Sequence, residues 1–339
     1  MKKSLSTKTI MVIIIMLIIV AGLISYLFTH RENPVTSIPS NTTTRTPEIT
    51  NIENKSTRVI RIGLIPVIDS FLFIVAEKEN LFEKEGLAVE IIWFSSAKER
   101  DDALLSGRID IAVHDPVGSI LLYSRGAPIK IIGFVCCEYD NESNIGFYLL
   151  SRPGLELSRN ISSIAVSRNT IIEYVAWRML NSLGLDPRRI DFVDVPSILN
   201  RYQLLIDGKL DYAVLPDPWG SLAIRNNASV IAFHRDLVVL VAREEILRDQ
   251  VARSSVVKIL RLLNESVDLY NRDPLKYRSD IAEKLMIPKE LREVFELKWM
   301  SHIRKMPEEV FSDAVSWLIE KQLISRNISY NEVVEDLIK

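Results

Sequence analysis

"LLSGRIDIAVHDPVGS" spans residues 104–119, and "LLIDGKLDYAVLPDPWGS" spans residues 204–221. Both run Leu-Leu, a Gly, a basic residue, an aliphatic residue, Asp, an apolar run, Asp-Pro and Gly-Ser. Gly208 follows Gly107 by 101 residues, and Asp217 follows Asp115 by 102. Each copy reads as a helix ending at Gly, a strand carrying Asp110 or Asp211, and an Asp-Pro that opens the next helix. Gly takes the left-handed conformation that ends a helix without a Cβ penalty. Asp is a favoured N-cap, and Pro suits the first helical position. A joint of this kind written twice predicts two α/β lobes of similar build.

The flanking sequence extends both lobes. "RVIRIGLIP" is a strand, "FLFIVAEKENLFEKEG" a helix, "LAVEIIWF" a strand and "AKERDDALLSG" a helix. "IDIAVH", "PVGSILLYSRG" and "IKIIGFVCC" continue the alternation. "IGFYLLS" adds a strand. The second set then runs "ISSIAVS", "TIIEYVAWRMLNSLG", "IDFVDV", "ILNRYQLLIDG", "LDYAVL" and "PWGSLAIRN", with "SVIAFH" and "DLVVLVAR" as further strands. Strands alternating with helices imply largely parallel sheets covered by helices. After Glu244 the pattern is helical throughout, including "PKELREVFELKWMSHI" over 288–303.

The 339 residues are 47% hydrophobic and 25% charged, a balance that supports one large or two medium cores. A formal net charge of −2 offers no electrostatic case for a nucleic-acid partner. Cys136 and Cys137 are adjacent and read as small apolar residues ending a strand, because bridging neighbours demands a strained turn. The four His have no metal-ligand spacing, and neither metal nor cofactor is expected.

"MKKSLSTKT" carries three Lys and no acid, and residues 10–28 then run without a charge. That stretch is about 28 Å long as a helix, close to the thickness of a bilayer core. Residues 1–28 therefore read as a cytoplasmic end and membrane anchor, with the body outside the cytoplasm. A cleaved signal peptide is the rival reading. Residues 29–57 are rich in Ser, Thr, Asn and Pro and read as a flexible stalk. Asn-x-Ser/Thr sites at Asn41, Asn54, Asn141, Asn160, Asn227, Asn264 and Asn327 agree with a glycosylated exterior.

In order and spacing, "IRIGLIP", "VAEKENLFEKEGLAVEI", "ALLSGRIDIAV", "RGAPIKIIGF", "LNSLGL" and "LLIDGKLDYAVLPDPW" resemble the solute-binding proteins of ABC importers for nitrate, sulfonates, taurine and thiamine precursors. The resemblance covers nearly all of 58–339. It implies a two-lobed, type II periplasmic-binding-protein-like α/β fold with a helical C-terminal region. Lobe 1 would be 58–146 plus 237–339, and lobe 2 would be 147–236. A small solute would be trapped between lobes that close like a jaw and then dock on a permease served by an ATPase. The protein would be a monomer without catalysis; its membrane helix departs from the many relatives that are free or lipid-anchored, and a glycosylated stalk on such an anchor suggests an archaeal cell surface. Some proteins of this fold are thiamine-pyrimidine or menaquinone-pathway enzymes, and a ligand-sensing ectodomain is a further alternative.

Open α/β sheets bind ligands at the carboxyl ends of their strands. Candidate ligand contacts are therefore Asp69, Ser70 and Phe71 after the first strand, Ser95 and Ser96 after the second, and His114 and Asp115 after the third. Lobe 2 offers Asn169, Thr170, Asp217 and Trp219. Ser96, Thr170, Asp69 and the Asp-Pro acids read equally well as helix caps, and Trp219 as core. Glu138 and Tyr139 are weaker candidates. With Asp69, Asp115 and Asp217 in the cleft loops and few basic residues beside them, an amine-bearing or heteroaromatic solute is expected over nitrate or a sulfonate.

Overall fold

A computed structural model describes residues 58–135, 146–155, 161–235 and 237–338. The expected anchor and stalk lie outside the described residues. So do Cys136, Cys137, Glu138, Tyr139 and the sequons at Asn41, Asn54, Asn141 and Asn160. Among the described residues no helix is long and apolar enough to cross a membrane. Of the described sequons, Asn264 is partly buried and its side chain accepts the Ile303 N–H, while Asn227 and Asn327 are exposed.

The first sheet is built from β1 (Ile60–Leu64), β2 (Val89–Trp93), β3 (Ile111–His114) and β4 (Ile129–Val135). The second uses β5 (Gly146–Ser151), β6 (Ser163–Val166), β7 (Asp191–Asp194), β8 (Tyr212–Pro216) and β9 (Ser229–Arg235). The chain then returns to the first sheet as β10 (Val238–Arg243). The strand orders are β2-β1-β3-β10-β4 and β7-β6-β8-β5-β9. β10 runs antiparallel between β3 and β4, and β5 runs antiparallel between β8 and β9. In each sheet the antiparallel strand is therefore the one that arrives from the other sheet. Apolar residues dominate the buried strands β1, β3, β5, β8 and β10, because helices cover both faces of such sheets.

The helices are α1 (Phe71–Lys78), α2 (Leu81–Lys84), α3 (Ala97–Leu105), α4 (Pro116–Ser124), α5 (Ile171–Ser182), α6 (Ile198–Ile206) and α7 (Trp219–Arg225). The tail adds α8 (Glu244–Arg248), α9 (Gln250–Arg272), α10 (Arg278–Lys284), α11 (Glu308–Glu320) and α12 (Tyr330–Val333). α9 lays Val256, Ile259, Leu260, Leu263, Val267 and Tyr270 along one buried stripe that packs on α1. α11 reaches the second sheet's first helix: Asp313 accepts from Tyr174 and Arg178, and Lys321 pairs with Glu173 at 2.7 Å.

Two helices read from the sequence are not formed as expected. The single helix expected at 71–86 breaks at Asn80, which sits at φ 53° and divides it into α1 and α2. Asn is one of the few residues that tolerates this region. The helix expected over 288–303 is only a short 3-10 helix at Lys289–Leu291, followed by a turn at 292–294 and then chain without regular structure. Side chains meet the backbone's hydrogen-bonding needs there in place of a helical ladder. Asn271 bonds both the N–H and the C=O of Met300, and the Arg278 guanidinium gathers the carbonyls of Arg292, Glu293 and Phe295. Phe295, Met300 and Ile303 are all buried.

Candidate functional site

The repeated joint is longer than its most legible part. Gly107 and Gly208 both end their helices at φ 73°. Upstream, at the same spacing, Ser96 caps α3 by accepting the Glu99 N–H and Ser197 caps α6 by accepting the Asn200 N–H. Between cap and Gly stand Arg100 and Arg201, both buried. Arg100 Nη1 donates to the Val113 carbonyl at 2.7 Å, and Arg201 Nε donates to the Val214 carbonyl at 2.8 Å. Each arginine thus ties its helix to the strand thirteen residues on.

Both arginines border a cavity of about 50 Å³ between the two sheets. Ile65 after β1, His114 at the end of β3, Ser167 after β6, Pro196 after β7 and Pro216 at the end of β8 also line it. These are carboxyl ends of strands, where loops and helix N-termini leave room and donors for a ligand. Ala97 and Ile198 occupy equivalent positions in the repeat and face the same space. A water needs roughly 10–15 Å³ of such volume, so the space suits about four waters or one small molecule.

The two arginines differ in their company. Arg100 has Asp101 as a counter-ion, with Nε and Nη2 at 3.0 and 2.7 Å from the same carboxylate oxygen. Burial pushes the Asp101 pKa up, but Arg100 and His114 outweigh it and hold the carboxyl at about 2. The residue after Arg201 is Tyr202. Arg201 Nη1 donates to the Val195 carbonyl at 2.6 Å, and Nη2 has no hydrogen-bond partner among the described residues. Burial without a close carboxylate lowers the Arg201 pKa to about 10, which still leaves a full positive charge at neutral pH. The Ser167 hydroxyl is also buried without a partner. α5, whose first turn includes Ile171 and Ile172 of the cavity wall, adds the positive end of its dipole.

His114 Nδ1 lies 2.8 Å from the Asp115 backbone nitrogen and 3.1 Å from the Asp115 carbonyl, and Nε2 lies 2.9 Å from Asp101. Ser119 Oγ lies 3.1 Å from Nδ1, so Ser, His and Asp stand in a row. The row is not a nucleophilic triad. The Ser119 hydroxyl donates to the Asp115 carbonyl at 2.6 Å, is fully buried and does not border the cavity.

The NMT1-like family model matches residues 53–142. The alkanesulfonate-binding protein SsuA from Xanthomonas axonopodis pv. citri, bound to MOPS, superposes with a TM-score of 0.70 at 16% identity, covering 82% of this chain and 98% of that one. The aliphatic sulphonate-binding SsuA from Escherichia coli gives 0.66 at 15% identity, covering 82% and 97%. The nitrate-binding NrtA from Synechocystis PCC 6803 gives 0.61 at 12% identity, covering 83% and 86%. No curated protein matches the chain in sequence. The chain has the two-lobed periplasmic-binding-protein fold.

Within that fold the expected contacts divide. Asp69, His114, Asp115 and Thr170 line the cavity. Ser70 is buried and donates to the Ile65 carbonyl, and Phe71 packs edge-on against Tyr270 in the core. Ser95 is exposed and bonds Glu99, while Ser96 caps α3. Asn169 is exposed at φ 60°, with its N–H on Glu173. Beyond these, Arg100, Arg201 and Ser167 were missed. The expectation of an acid-dominated cleft changes accordingly, because two buried arginines line the cavity from helices rather than from the loops.

The second Asp-Pro does not repeat the first. Asp115 caps α4 through the Gly118 N–H, as its sequence suggests. α7 begins only at Trp219, after a cis Asp217–Pro218 bond, and the Asp217 carboxylate accepts from Ser221 Oγ and the Gly146 N–H instead. Burial raises the Asp217 pKa to about 6, above its usual unfolded value near 4. The unfolded chain releases this proton first, so stability falls as pH rises from about 4 to 6 and is flat beyond. A two-unit shift corresponds to ~3 kcal/mol. In urea titrations at pH 4 and pH 7, Asp217→Asn is expected to lack this part of the wild-type loss.

Trp219 is fully buried, tilts against Tyr202 and donates its indole N–H to the Pro66 carbonyl at 2.8 Å. It therefore joins the second sheet's α7 to the loop after β1. Trp219→Ala is expected to cost about 3–5 kcal/mol by cavity formation, seen as a lower urea midpoint. A normal midpoint with weakened solute binding would make it a ligand contact instead.

Proposed function

We propose that this protein is the extracytoplasmic solute-binding component of an ABC importer, and that its solute carries an anionic group. The observation that supports this most is Arg201, a buried cation with a free N–H on the wall of a cavity that Ser167, whose hydroxyl is also unpartnered, lines as well. Leaving a charge buried and unpaired is costly unless something compensates it. An anion from the cleft would compensate it and take up both donors. The sulfonate- and nitrate-binding proteins of the same fold agree with this chemistry.

In this reading the body works without catalysis. Lobe 1 (58–146 plus 237–339) and lobe 2 (147–236) close over the solute and present it to a permease coupled to an ATPase. Residues 1–28 anchor the monomer in the membrane, and the 29–57 stalk carries the body on the outer surface. Thermal unfolding in a concentration series of small carboxylates, sulfonates, nitrate and phosphate tests the proposal. A ligand at 100 times its Kd adds about 2.7 kcal/mol of stability, and the melting temperature should climb with its concentration. A melting temperature unmoved by every anion would overturn the anionic assignment.

A further inference from the structure

A second cleft shares no lining residue with the cavity between the sheets. It runs along the last two turns of α9 and the chain at 299–302, and its volume is about 380 Å³. Clefts that hold small organic molecules span roughly 300–1,000 Å³. The chain has five Trp. Trp177, Trp219 and Trp317 are buried and Trp93 is partly buried, but Trp299, which lines this cleft, is 52% exposed. Its segment is fastened to α9. Asn271 bonds the N–H and the C=O of Met300 at 3.0 and 2.6 Å, and Asn264 accepts the Ile303 N–H at 2.7 Å. The indole is thus an apolar face organised before any ligand arrives, which lowers the entropy that binding must overcome.

The other walls are polar. Ser301 is only 9% exposed, and its Oγ has no hydrogen-bond partner among the described residues although the residue borders the cleft. A buried hydroxyl without a partner is costly, and a ligand group that reaches it recovers the loss. Asp268 and Arg272 stand one helical turn apart on α9, and His302 Nε2 lies 2.8 Å from Asp268 Oδ1. All three border the cleft, so its lining carries charges of both signs. An anionic ligand would meet Asp268, and an ammonium would meet Arg272. A neutral ligand rich in hydroxyls meets neither penalty, because each hydroxyl donates and accepts. We propose that this cleft binds a neutral pyranose sugar. The C–H face of the ring lies on the Trp299 indole, and the hydroxyls at its rim bond Ser301, Asp268 and Arg272. An aromatic side chain suits such a ring because it offers a broad apolar face at little conformational cost.

Saturation-transfer NMR and calorimetry on the full chain test this with glucose, galactose, mannose and N-acetylglucosamine, each as the free sugar and as its methyl glycoside. At least one is expected to bind in the millimolar range or tighter. Trp299→Ala should weaken that binding by about tenfold or more, as truncating a principal aromatic contact does, and Ser301→Ala by about threefold. The urea midpoint of Trp299→Ala should stay close to wild type, because the side chain is half exposed. Arg201→Met should leave sugar binding unchanged. A methyl glycoside that binds as well as its free sugar identifies a ring within a glycan chain as the source, and loss on methylation identifies a free sugar; both support the site. If none of these compounds binds, or if the affinity survives Trp299→Ala, the proposal is overturned and the solute reading of the other cavity is untouched. A sugar lost in Arg201→Met instead would belong to that cavity and would also overturn it. Tetramethylammonium binding without sugar binding would do the same, in favour of a cation site on Trp299 and Asp268.

Discussion

Arg201→Met is expected to weaken solute binding by about 100-fold while leaving a folded protein. Removing one partner of a buried, hydrogen-bonded charge pair costs about 2–5 kcal/mol, mostly in the dissociation rate. Arg201 is that partner in the cavity, with one guanidinium nitrogen uncommitted. The change also removes donors from the Val214 and Val195 carbonyls, each worth roughly 1 kcal/mol. It removes an uncompensated buried cation at the same time, so the two effects on stability offset. Calorimetry gives the affinity and urea unfolding the stability. An affinity within threefold of wild type would place the solute elsewhere.

The equivalent change in the other lobe is expected to act on stability. Arg100→Met leaves the partly buried Asp101 beside His114 without its guanidinium; breaking a fully buried pair on one side costs about 3–5 kcal/mol, and the partial exposure of Asp101 places this loss at or below the lower end of that range. The carboxyl pKa of about 2 fixes the sign of the pH dependence. A depressed pKa contributes stability that is full above about pH 4 and is lost as pH falls toward 2. The gap between wild type and Arg100→Met should therefore narrow over that interval. The double change Arg100→Met/Asp101→Asn should recover part of the loss, which a double-mutant cycle reads directly. A gap independent of pH would mean that the arginine acts through packing and the Val113 carbonyl alone. Two arginines in matching positions would thus have separable roles, one binding and one structural, decided by whether Asp or Tyr follows.

The architecture was largely legible because its signals are local. Alternating apolar runs, Gly at helix ends and caps such as Ser96 each report on a few neighbouring residues. The cavity was less legible, because its cations sit one helical turn inside α3 and α6, away from the strand ends where ligand contacts are sought. The signal was present nonetheless. Ser96 with Arg100 and Ser197 with Arg201 continue the 101-residue spacing of Gly107 and Gly208, and carrying the comparison upstream of Leu104 would have found them. The chain at 288–303 misled because its apolar spacing is helical while its backbone partners are Asn264, Asn271 and Arg278. Only tertiary contact brings those side chains near. Asp217 was read as a helix cap by analogy with Asp115, but one extra residue, Pro216, precedes the second Asp-Pro, and the Asp217 carboxylate accepts from Ser221 and Gly146 instead.

Native mass spectrometry of the purified body most directly tests whether the protein captures a small charged solute in this cavity. The account predicts one small adduct per chain when the wild type is isolated from its native host or saturated with a binding solute. The adduct should be lost from Arg201→Met and retained by Asp217→Asn. An adduct that survives Arg201→Met, or a wild-type chain that takes up no solute under any of these conditions, would contradict it.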